Sequence, residues 1–520
     1  MRLADPVRAL DSDARRIQPA TYACFFVIFA LIVYLTHAPF FGLPFFWDEV
    51  GQFIPAALDI YAHGEWVPHA AVPNVHPPGV MAYLAGVWHL AGYSVEATRL
   101  AMLLLASFSV LVVFLVAIRL LRPAAGAPAF AAVALLVVSP LFYTQAMMAQ
   151  LDLAAMLFTA WVLLLFLEDR WRAAALVSIA LVLVKETGAV VPVVLGAWLV
   201  MEKRTREAAW FVLPLLALCG WLAVLRHATG HVLGSASFTA YNLFYPLHPV
   251  RLGVAVLRRV YFLGLGDFHW IGMIAVVVGW RAGIYANREW RIAGAVTLAN
   301  VAIVTVLGGA GLERYLLPAL PLVYIAMVAG WSVYSRFWRV LSEVALAGGL
   351  LLSLFWNPPF PFPYENNLAM TDSIYVQRAA ASYIEQNLPG EAVTTVWPLS
   401  AALQNPKFGY VSHEAAVREI PNFAPSTVKA LAPERIQVFV LYSATWNPAW
   451  NLLHNRTILA FAHHYYKYEP DIAASELQRW LGVSPTARWE RHGQWAEVYV
   501  APWQQAPGGQ RISWVRVADR

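Results

Sequence analysis

The sequence predicts a polytopic α-helical membrane protein that carries a small α/β domain at its C-terminal end. Of its 520 residues, 60% are hydrophobic and only 13% are charged, whereas soluble domains carry about 25% charged residues. Apolar runs of about 18 or more residues recur through the first two thirds, and each can cross a hydrocarbon layer about 30 Å thick. A pattern of alternating helices and strands begins only after this region.

The apolar runs predict about eleven spans, with about 10 to 13 as the range. The segment from Pro77 to Gly92 is apolar but short, so it predicts an interfacial or re-entrant helix instead of a span. The predicted spans are residues 20–41, 100–118, 128–147, 151–167, 173–187, 188–202, 208–225, 262–280, 292–309, 315–334 and 341–357.

Lys and Arg residues predict the orientation of these spans. With residues 1–19 in the cytoplasm, the cytoplasmic loops carry more than twice as many Lys and Arg residues as the loops on the opposite side. This orientation places the first loop, residues 42–99, outside. An odd number of spans sends the C-terminal domain outside as well. Abundant Ala, Arg and Pro with few Lys favour a high-GC bacterial source, so we predict a bacterial inner membrane.

Charge and cysteine content exclude two other classes. The net charge of +5 comes from basic residues spread over many short loops, so we expect no nucleic-acid partner. Cys24 and Cys219 both fall inside apolar runs, which argues against a disulfide framework.

The proline-rich segment NPPFPFPYENN, residues 357–367, predicts a domain boundary. It separates a membrane domain (20–357) from a C-terminal α/β domain (358–520). Alternating helices and strands predict this class. The predicted elements are a helix at 373–387, strands at 392–398 and 436–443, a helix at 472–481 and a strand at 496–502.

Charged residues beside the apolar runs are candidates for function, because a charge near the membrane interior is costly. In FFWDEVGQF, residues 45–53, two adjacent carboxylates follow the first predicted span. By the predicted topology, all such residues lie at the outer face, which indicates a site for an anionic, membrane-borne substrate that reacts through a general base. The candidates are Asp48, Glu49, Asp152, Lys185, Glu186, Glu313 and Arg314, which Tyr315 follows.

Each candidate also has a purely structural interpretation. Asp48 or Glu49 could cap the helix that follows, and Asp152 could cap its own helix. Lys185 and Glu186 could pair with each other. Arg314 and its neighbouring tyrosine could anchor a helix at the interface. These interpretations do not explain why all the charges fall on one face.

Three histidines in the first outer loop raise the question of a metal. His63, His69 and His76 are separated by six and seven residues, and this spacing matches no familiar ligand motif. We therefore predict no metal ligand among them, while a divalent metal requirement stays open.

The charged motifs, in their order and spacing, resemble those of the C-type (GT-C fold) membrane glycosyltransferases. This group includes the protein O-mannosyltransferases, the lipid A aminoarabinose transferases and the lipopolysaccharide galacturonosyltransferases. The resemblance covers roughly residues 40–340. It is carried by the DE pair, GEWVPH (64–69), HPPGVMAYLAGVWHLAGYSVEATRL (76–100), SPLFYTQAMMAQLDLAAMLF (139–158), LVKETG (183–188) and RYLLPALPL (314–322).

The resemblance implies a role for each matching residue. Asp48 falls on the catalytic base, and Glu49 takes the second position of that motif. The residues that match the donor-phosphate contacts are His76, Lys185, Arg314 and Tyr315, with Asp152 and Glu186 in support. The chain departs from the pattern twice: no arginine follows the DE pair, and a histidine replaces the lysine before Pro77-Pro78.

The implied reaction moves a sugar from a polyprenyl-phosphate donor to a hydroxyl of a lipid, glycan or protein acceptor, with inversion at the anomeric carbon. A nucleotide-sugar donor is disfavoured because no glycine-rich phosphate loop precedes a helix. Two alternatives belong to other classes: a transporter or flippase for lipid-linked sugars, and a non-catalytic protein that binds them.

Overall fold

The computed structural model describes residues 19–122, 127–432, 434–448 and 451–502, and the backbone of 513–516. Nearly all of the predicted cytoplasmic N-terminus lies outside the described residues. The membrane part is helical, and each predicted span overlaps at least one helix, although the predicted span 128–147 contains two helices that meet at a bend. Its helices are α1 (Pro19–His37), α2 (Ile54–His63), α3 (Gly79–Ala91), α4 (Val95–Leu121), α5 (Ala129–Val138), α6 (Pro140–Met147), α7 (Leu151–Leu167), α8 (Trp171–Val184), α9 (Val190–Met201), α10 (Val212–Thr229), α11 (Pro249–Gly264), α12 (Trp270–Arg281), α13 (Arg288–Val306), α14 (Leu320–Trp331) and α15 (Arg336–Ser353).

Four of the described helices are long and apolar enough to cross a membrane: α1, α4, α13, and α10 with the turns before it (Thr205–Thr229). The bent pair α5 and α6 makes a fifth if it is counted as one span. Other apolar helices, including α7, α8 and α14, are shorter. The number of eleven spans therefore stays a prediction.

Helix α4 forms the centre of the membrane part. In its most apolar stretch 72% of the residues are buried within the protein, against 17% for α1, which lies at the periphery. Helix α4 packs against α1 and α7, and α7 packs against α8. Apolar side chains such as Leu31 and Leu35 on the outer face of α1 are exposed, as expected for a surface that contacts lipid.

A break at Ser139-Pro140 turns α6 by 68° from α5. Proline has no N–H for the helical ladder, and the residue before it favours an extended conformation. Ser139 is extended, and its hydroxyl accepts a hydrogen bond from the backbone N–H of Phe142 at 3.4 Å. The turn brings the segment after Met147 towards the first outer loop.

The C-terminal part contains one six-stranded mixed sheet with the strand order β2-β1-β3-β5-β4-β6. Helix α16 (Ala369–Asn387) packs on β4 and β5. The strands β1 and β3 are buried on both faces, in agreement with their runs of apolar and β-branched residues. The strands are β1 (Val393–Val396), β2 (Val417–Ile420), β3 (Val438–Tyr442), β4 (Ser484–Arg491), β5 (Gln494–Val500) and β6 (Ser513–Arg516), and the helices among them are α17 (Leu399–Gln404), α18 (Pro425–Ala430), α19 (Arg456–Tyr466) and α20 (Ala474–Leu481).

The first outer loop is hydrogen-bonded to the C-terminal part. The carbonyl oxygen of Phe45 accepts a hydrogen bond from the Tyr410 hydroxyl at 3.0 Å. The N–H of Phe45 donates to the carbonyl oxygen of Phe408 at 3.1 Å. The Trp47 ring meets the Trp397 ring edge-on at 5.0 Å. These contacts hold the DE motif between the helices and the sheet.

A buried ion pair joins the same loop to the central helix. The Arg99 guanidinium on α4 donates to both carboxylate oxygens of Glu49, at 2.5 Å and 3.1 Å. Glu49 also accepts the backbone N–H groups of Phe46 and Ala149, at 2.8 Å and 2.6 Å. Both side chains are almost fully buried, so the charge of each is compensated by the other and not by water.

We predict that Glu49→Gln destabilises the protein strongly, since removing one partner of a buried ion pair costs about 3–5 kcal/mol. The midpoint of thermal unfolding in detergent measures this effect. Glu65→Gln, at an exposed position of the same loop, is the matched control and should leave the midpoint nearly unchanged. Equal midpoints for the two variants would contradict the role of the Glu49–Arg99 pair.

Candidate active site

The two acids of the DE motif point in different directions. Glu49 begins a short π-helical turn (Glu49–Phe53) and is directed into the core, where Arg99 binds it. Asp48 immediately precedes the turn, makes no capping hydrogen bond, and lines a cavity. Neither side chain therefore acts as a helix cap, and Asp48 alone of the pair faces open space.

Arg314 is the centre of the charged cluster. Its guanidinium donates to Asp48 through one terminal nitrogen and to Glu365 through the other, at 3.0 Å for Glu365, and its Nε lies 3.3 Å from Asp152. Arg314 is only 3% exposed. It is thus a buried cation that contacts three carboxylates, and not an interfacial anchor.

Lys185 is the second cation of the cluster. It begins a short turn after α8 and pairs with Asp152, which lies in the first turn of α7. Its ammonium lies 4.4 Å from the centre of the Tyr315 ring, a cation–π contact. Asp152 therefore bridges the two cations of the site, and Lys185 does not pair with its sequence neighbour Glu186.

Glu186 instead pairs with His76: the Nδ1 atom of His76 lies 2.9 Å from the Glu186 carboxylate. Gly79 permits this pairing, because a Cβ there would lie 2.5 Å from the carbonyl oxygen of Leu183. The missing side chain lets the His-Pro-Pro-Gly turn rest against the end of α8. His76 thereby reaches the same wall of the cavity as Lys185.

The cavity beside the cluster has a volume of about 690 Å³. Asp48, Asp152, Lys185, Arg314 and Tyr315 lie in its wall, whereas Glu49 and Glu186 are outside the set of described residues that line it. An adjoining cavity of about 140 Å³ is mainly apolar and shares five lining residues with the larger one: His76, Lys185, Phe238, Asn242 and Tyr315. A charged cavity thus adjoins an apolar one.

The described residues contain no group of three His, Cys, Asp or Glu side chains placed to hold a metal ion. The carboxylates nearest one another surround Arg314 instead.

Sequence reasoning missed two residues of this region as site residues. Arg99 is the last residue of the predicted outer loop 42–99, although its position near the start of an apolar helix could have indicated burial. Glu365 lies in the linker, where no periodic pattern signals a role. Burial raises the pKa of its carboxyl to about 7, against the lowering effect of Arg314 and with a further rise from Asp48.

Among solved structures, the chain is similar to ArnT from Cupriavidus metallidurans bound to undecaprenyl phosphate. The TM-score is 0.54 at 15% sequence identity, covering 94% of this chain and 100% of that one. The apo form of the same protein gives a TM-score of 0.53 at 15% identity, covering 92% and 98%. The chain has the GT-C fold. No protein-family model matches the sequence, and no curated protein matches it.

The GT-C fold confirms the resemblance inferred from the motifs and supports a polytopic helical membrane protein. A third structure, the oligosaccharyltransferase of Archaeoglobus fulgidus, has a TM-score of 0.46 at 12% identity, covering 95% of this chain and 76% of that one. The fold assignment rests on the first two structures alone.

We predict that Arg314→Met destabilises the protein by about 3–5 kcal/mol, because it leaves buried carboxylates without their cation. The thermal midpoint in detergent measures the loss. Arg418→Met removes a half-exposed partner of Glu434 and should cost about 0–1 kcal/mol. A midpoint for Arg314→Met equal to that of this control would contradict a structural role for the cluster.

Proposed function

We propose that the chain is an integral membrane glycosyltransferase that transfers a sugar from a polyprenyl-phosphate donor to an acceptor hydroxyl on the extracytoplasmic face. One observation carries this proposal: a carboxylate, Asp48, shares a cavity with two cations, Lys185 and Arg314, beside an apolar chamber. A lipid-linked donor needs a base for the acceptor hydroxyl, cations for its phosphate and an apolar surface for its lipid, and this arrangement could supply all three.

In the proposed reaction, Asp48 removes the proton of the acceptor hydroxyl during its attack on the anomeric carbon. The bond from that carbon to the phosphate oxygen breaks on the opposite side, so the configuration inverts. The electron pair leaves with the polyprenyl phosphate. Lys185 and Arg314 stabilise this anion, which therefore needs no acid to protonate it.

Arg314 connects the two halves of this chemistry. Its guanidinium pairs with Asp48. A donor phosphate that takes the same nitrogen frees Asp48 to accept a proton. The pair thus links donor binding to activation of the base.

The remaining residues have supporting roles in this proposal. Tyr315 shapes the cavity under the Lys185 ammonium, and Asp152 holds both cations in place. His76, paired with Glu186, stands where a phosphate oxygen can receive a hydrogen bond. Glu49, which is directed away from the cavity, positions the motif through Arg99 and does not touch the substrate.

The lipid and location follow from the same reasoning. The ArnT relative of known structure binds undecaprenyl phosphate, and we propose a polyprenyl phosphate of this class as the carrier. The Ala, Arg and Pro content supports a bacterial inner membrane, and the predicted loop charges support residues 358–520 as an extracytoplasmic domain. That domain contributes Trp397 to the cavity wall, which supports a contact with the acceptor, whether lipid, glycan or protein.

We predict that Asp48→Asn lowers transfer by a factor of about 10²–10⁴, the contribution of a general base. Release of polyprenyl phosphate from a panel of polyprenyl-phosphate sugars, with membrane extract as the acceptor source, measures the rate. Asp169→Asn, at an exposed turn, is the matched control. Equal rates in Asp48→Asn and wild type would remove Asp48 as base, and no release by wild type from any donor would favour a transporter or a binding protein.

We predict that Lys185→Met costs about 2.7–4 kcal/mol of transition-state stabilisation, as for one lost contact to a developing anion. The ratio of kcat/KM for wild type and variant on the active donor gives this number. Lys429→Met, on the surface of the C-terminal domain, should retain full activity. A loss below about threefold in Lys185→Met would contradict its contact with the leaving phosphate.

A further inference from the structure

Glu365 lies beside the site but outside it. It sits in the turn Tyr364–Asn366, just after the proline-rich linker, and its backbone carbonyl accepts the hydroxyl of Thr144 at 2.5 Å. Its carboxylate accepts hydrogen bonds from the Arg314 guanidinium at 3.0 Å and from the Gln150 amide at 3.2 Å. Glu365 is buried and is not among the described residues that line the cavity, so it cannot touch a substrate there.

The cluster carries more negative than positive charge. Three carboxylates (Asp48, Asp152 and Glu365) face two cations, Arg314 and Lys185. An anionic donor adds one more negative charge to a buried site of low dielectric, where like charges repel strongly. Neutralising one carboxylate would remove half of this excess and restore the charge that the cluster has without the donor.

Glu365 is the carboxylate best placed to be neutralised. Asp48 is needed as a base, and Asp152 holds Lys185 as well as Arg314. Among the described residues, no donor reaches Oε1 of Glu365 or Oε1 of Gln150, so a proton on Glu365 supplies a donor where buried acceptors lack one. Burial raises the pKa of this carboxyl to about 7, within reach of physiological pH.

Among the described residues, the charged groups on the other elements packed around Glu365 have partners of their own. Helix α6 presents Thr144 and Gln145, and the hydroxyl of its Tyr143 bonds to the backbone of Thr36. Asp372 on α16 is bound by Arg491. The charged or titratable groups that face Glu365 are thus Arg314, Asp48, Asp152 and Tyr315. Glu313 accepts a hydrogen bond from Asn366, the residue after Glu365, and pairs with Arg258.

We propose that Glu365 is a positioning residue that takes up one proton when the anionic donor binds Arg314, so that donor binding weakens as pH rises. The inference rests on the proposed function for the identity of the donor. A bound phosphate stabilises protonated Glu365, so protons are absorbed on binding. By linkage, Kd then rises by up to about tenfold per pH unit above the titration of the free site.

The test uses calorimetric titration of the full-length protein in detergent with farnesyl methyl phosphate. This phosphodiester carries one constant negative charge, so the ligand itself does not titrate. Measurements at about pH 7.5 in two buffers of different ionisation enthalpy give the number of protons absorbed, and a series from about pH 6 to about pH 9 gives the change in Kd. The wild-type proton count requires no variant.

We expect wild type to absorb a substantial fraction of one proton and to lose affinity as pH rises. Glu365→Gln should absorb none from this position, and its Kd should stay near the low-pH value of wild type throughout. Asp372→Asn, a buried carboxylate seven residues further along, is the matched control and should behave as wild type.

Two results would overturn the inference: no proton uptake by wild type, or the same uptake by folded Glu365→Gln, which would assign the proton to another group such as His76. Proton-linked binding without sugar transfer from any donor would keep the inference and contradict the proposed function. Sugar transfer without proton uptake would support the proposed function and contradict the inference. No binding of the phosphodiester by wild type would remove both.

Discussion

The buried guanidinium of Arg314 is the interaction on which the arrangement of the site depends. It joins Asp48 from the first outer loop, Asp152 from the start of α7 and Glu365 from the linker before the sheet. Bringing one charge out of water is costly, and only matched partners recover that cost. A planar guanidinium presents several N–H donors in a rigid fork, so it can face three carboxylates in fixed directions. Together with the Arg99–Glu49 pair and the hydrogen bonds of Phe45, this side chain links the loop, the helices and the C-terminal part.

Under the proposed function, the same interaction makes the site responsive to an anion. Asp48 and the phosphate of a donor would compete for one nitrogen of Arg314, while Glu365 retains the other. Asp48 would then stay paired with a cation until an anionic ligand arrives. The surplus of carboxylates would favour a ligand that brings a counter-charge or is accompanied by a proton.

Much of the fold could be predicted from the sequence because its signals are local. Apolar runs located the helices, and β-branched runs located β1, β3 and β5. The prediction missed β2, which has Arg418 and Glu419 at its centre, and also β4 and β6, because these strands lack a run of β-branched residues. Asp48, Lys185 and Arg314 were found through motif order, and the structure brings all three into one cavity wall.

The pairings within the site could not be predicted in this way, because they join residues far apart in the chain. Glu49 is directed into the core by a partner 50 residues away, so adjacency to Asp48 did not reveal its separate environment. Lys185 and Glu186 have different partners for the same reason. Glu365 contacts Arg314 across 51 residues. Only the folded chain shows that it completes the cluster.

A cryo-electron microscopy structure of the protein with undecaprenyl phosphate bound would show directly whether Arg314 exchanges Asp48 for a phosphate. We expect the phosphate within hydrogen-bonding distance of Lys185 and Arg314, with Asp48 released from the guanidinium and Glu365 still bound to it. A phosphate bound elsewhere, with the Asp48–Arg314 pair intact, would contradict the proposed role of Arg314.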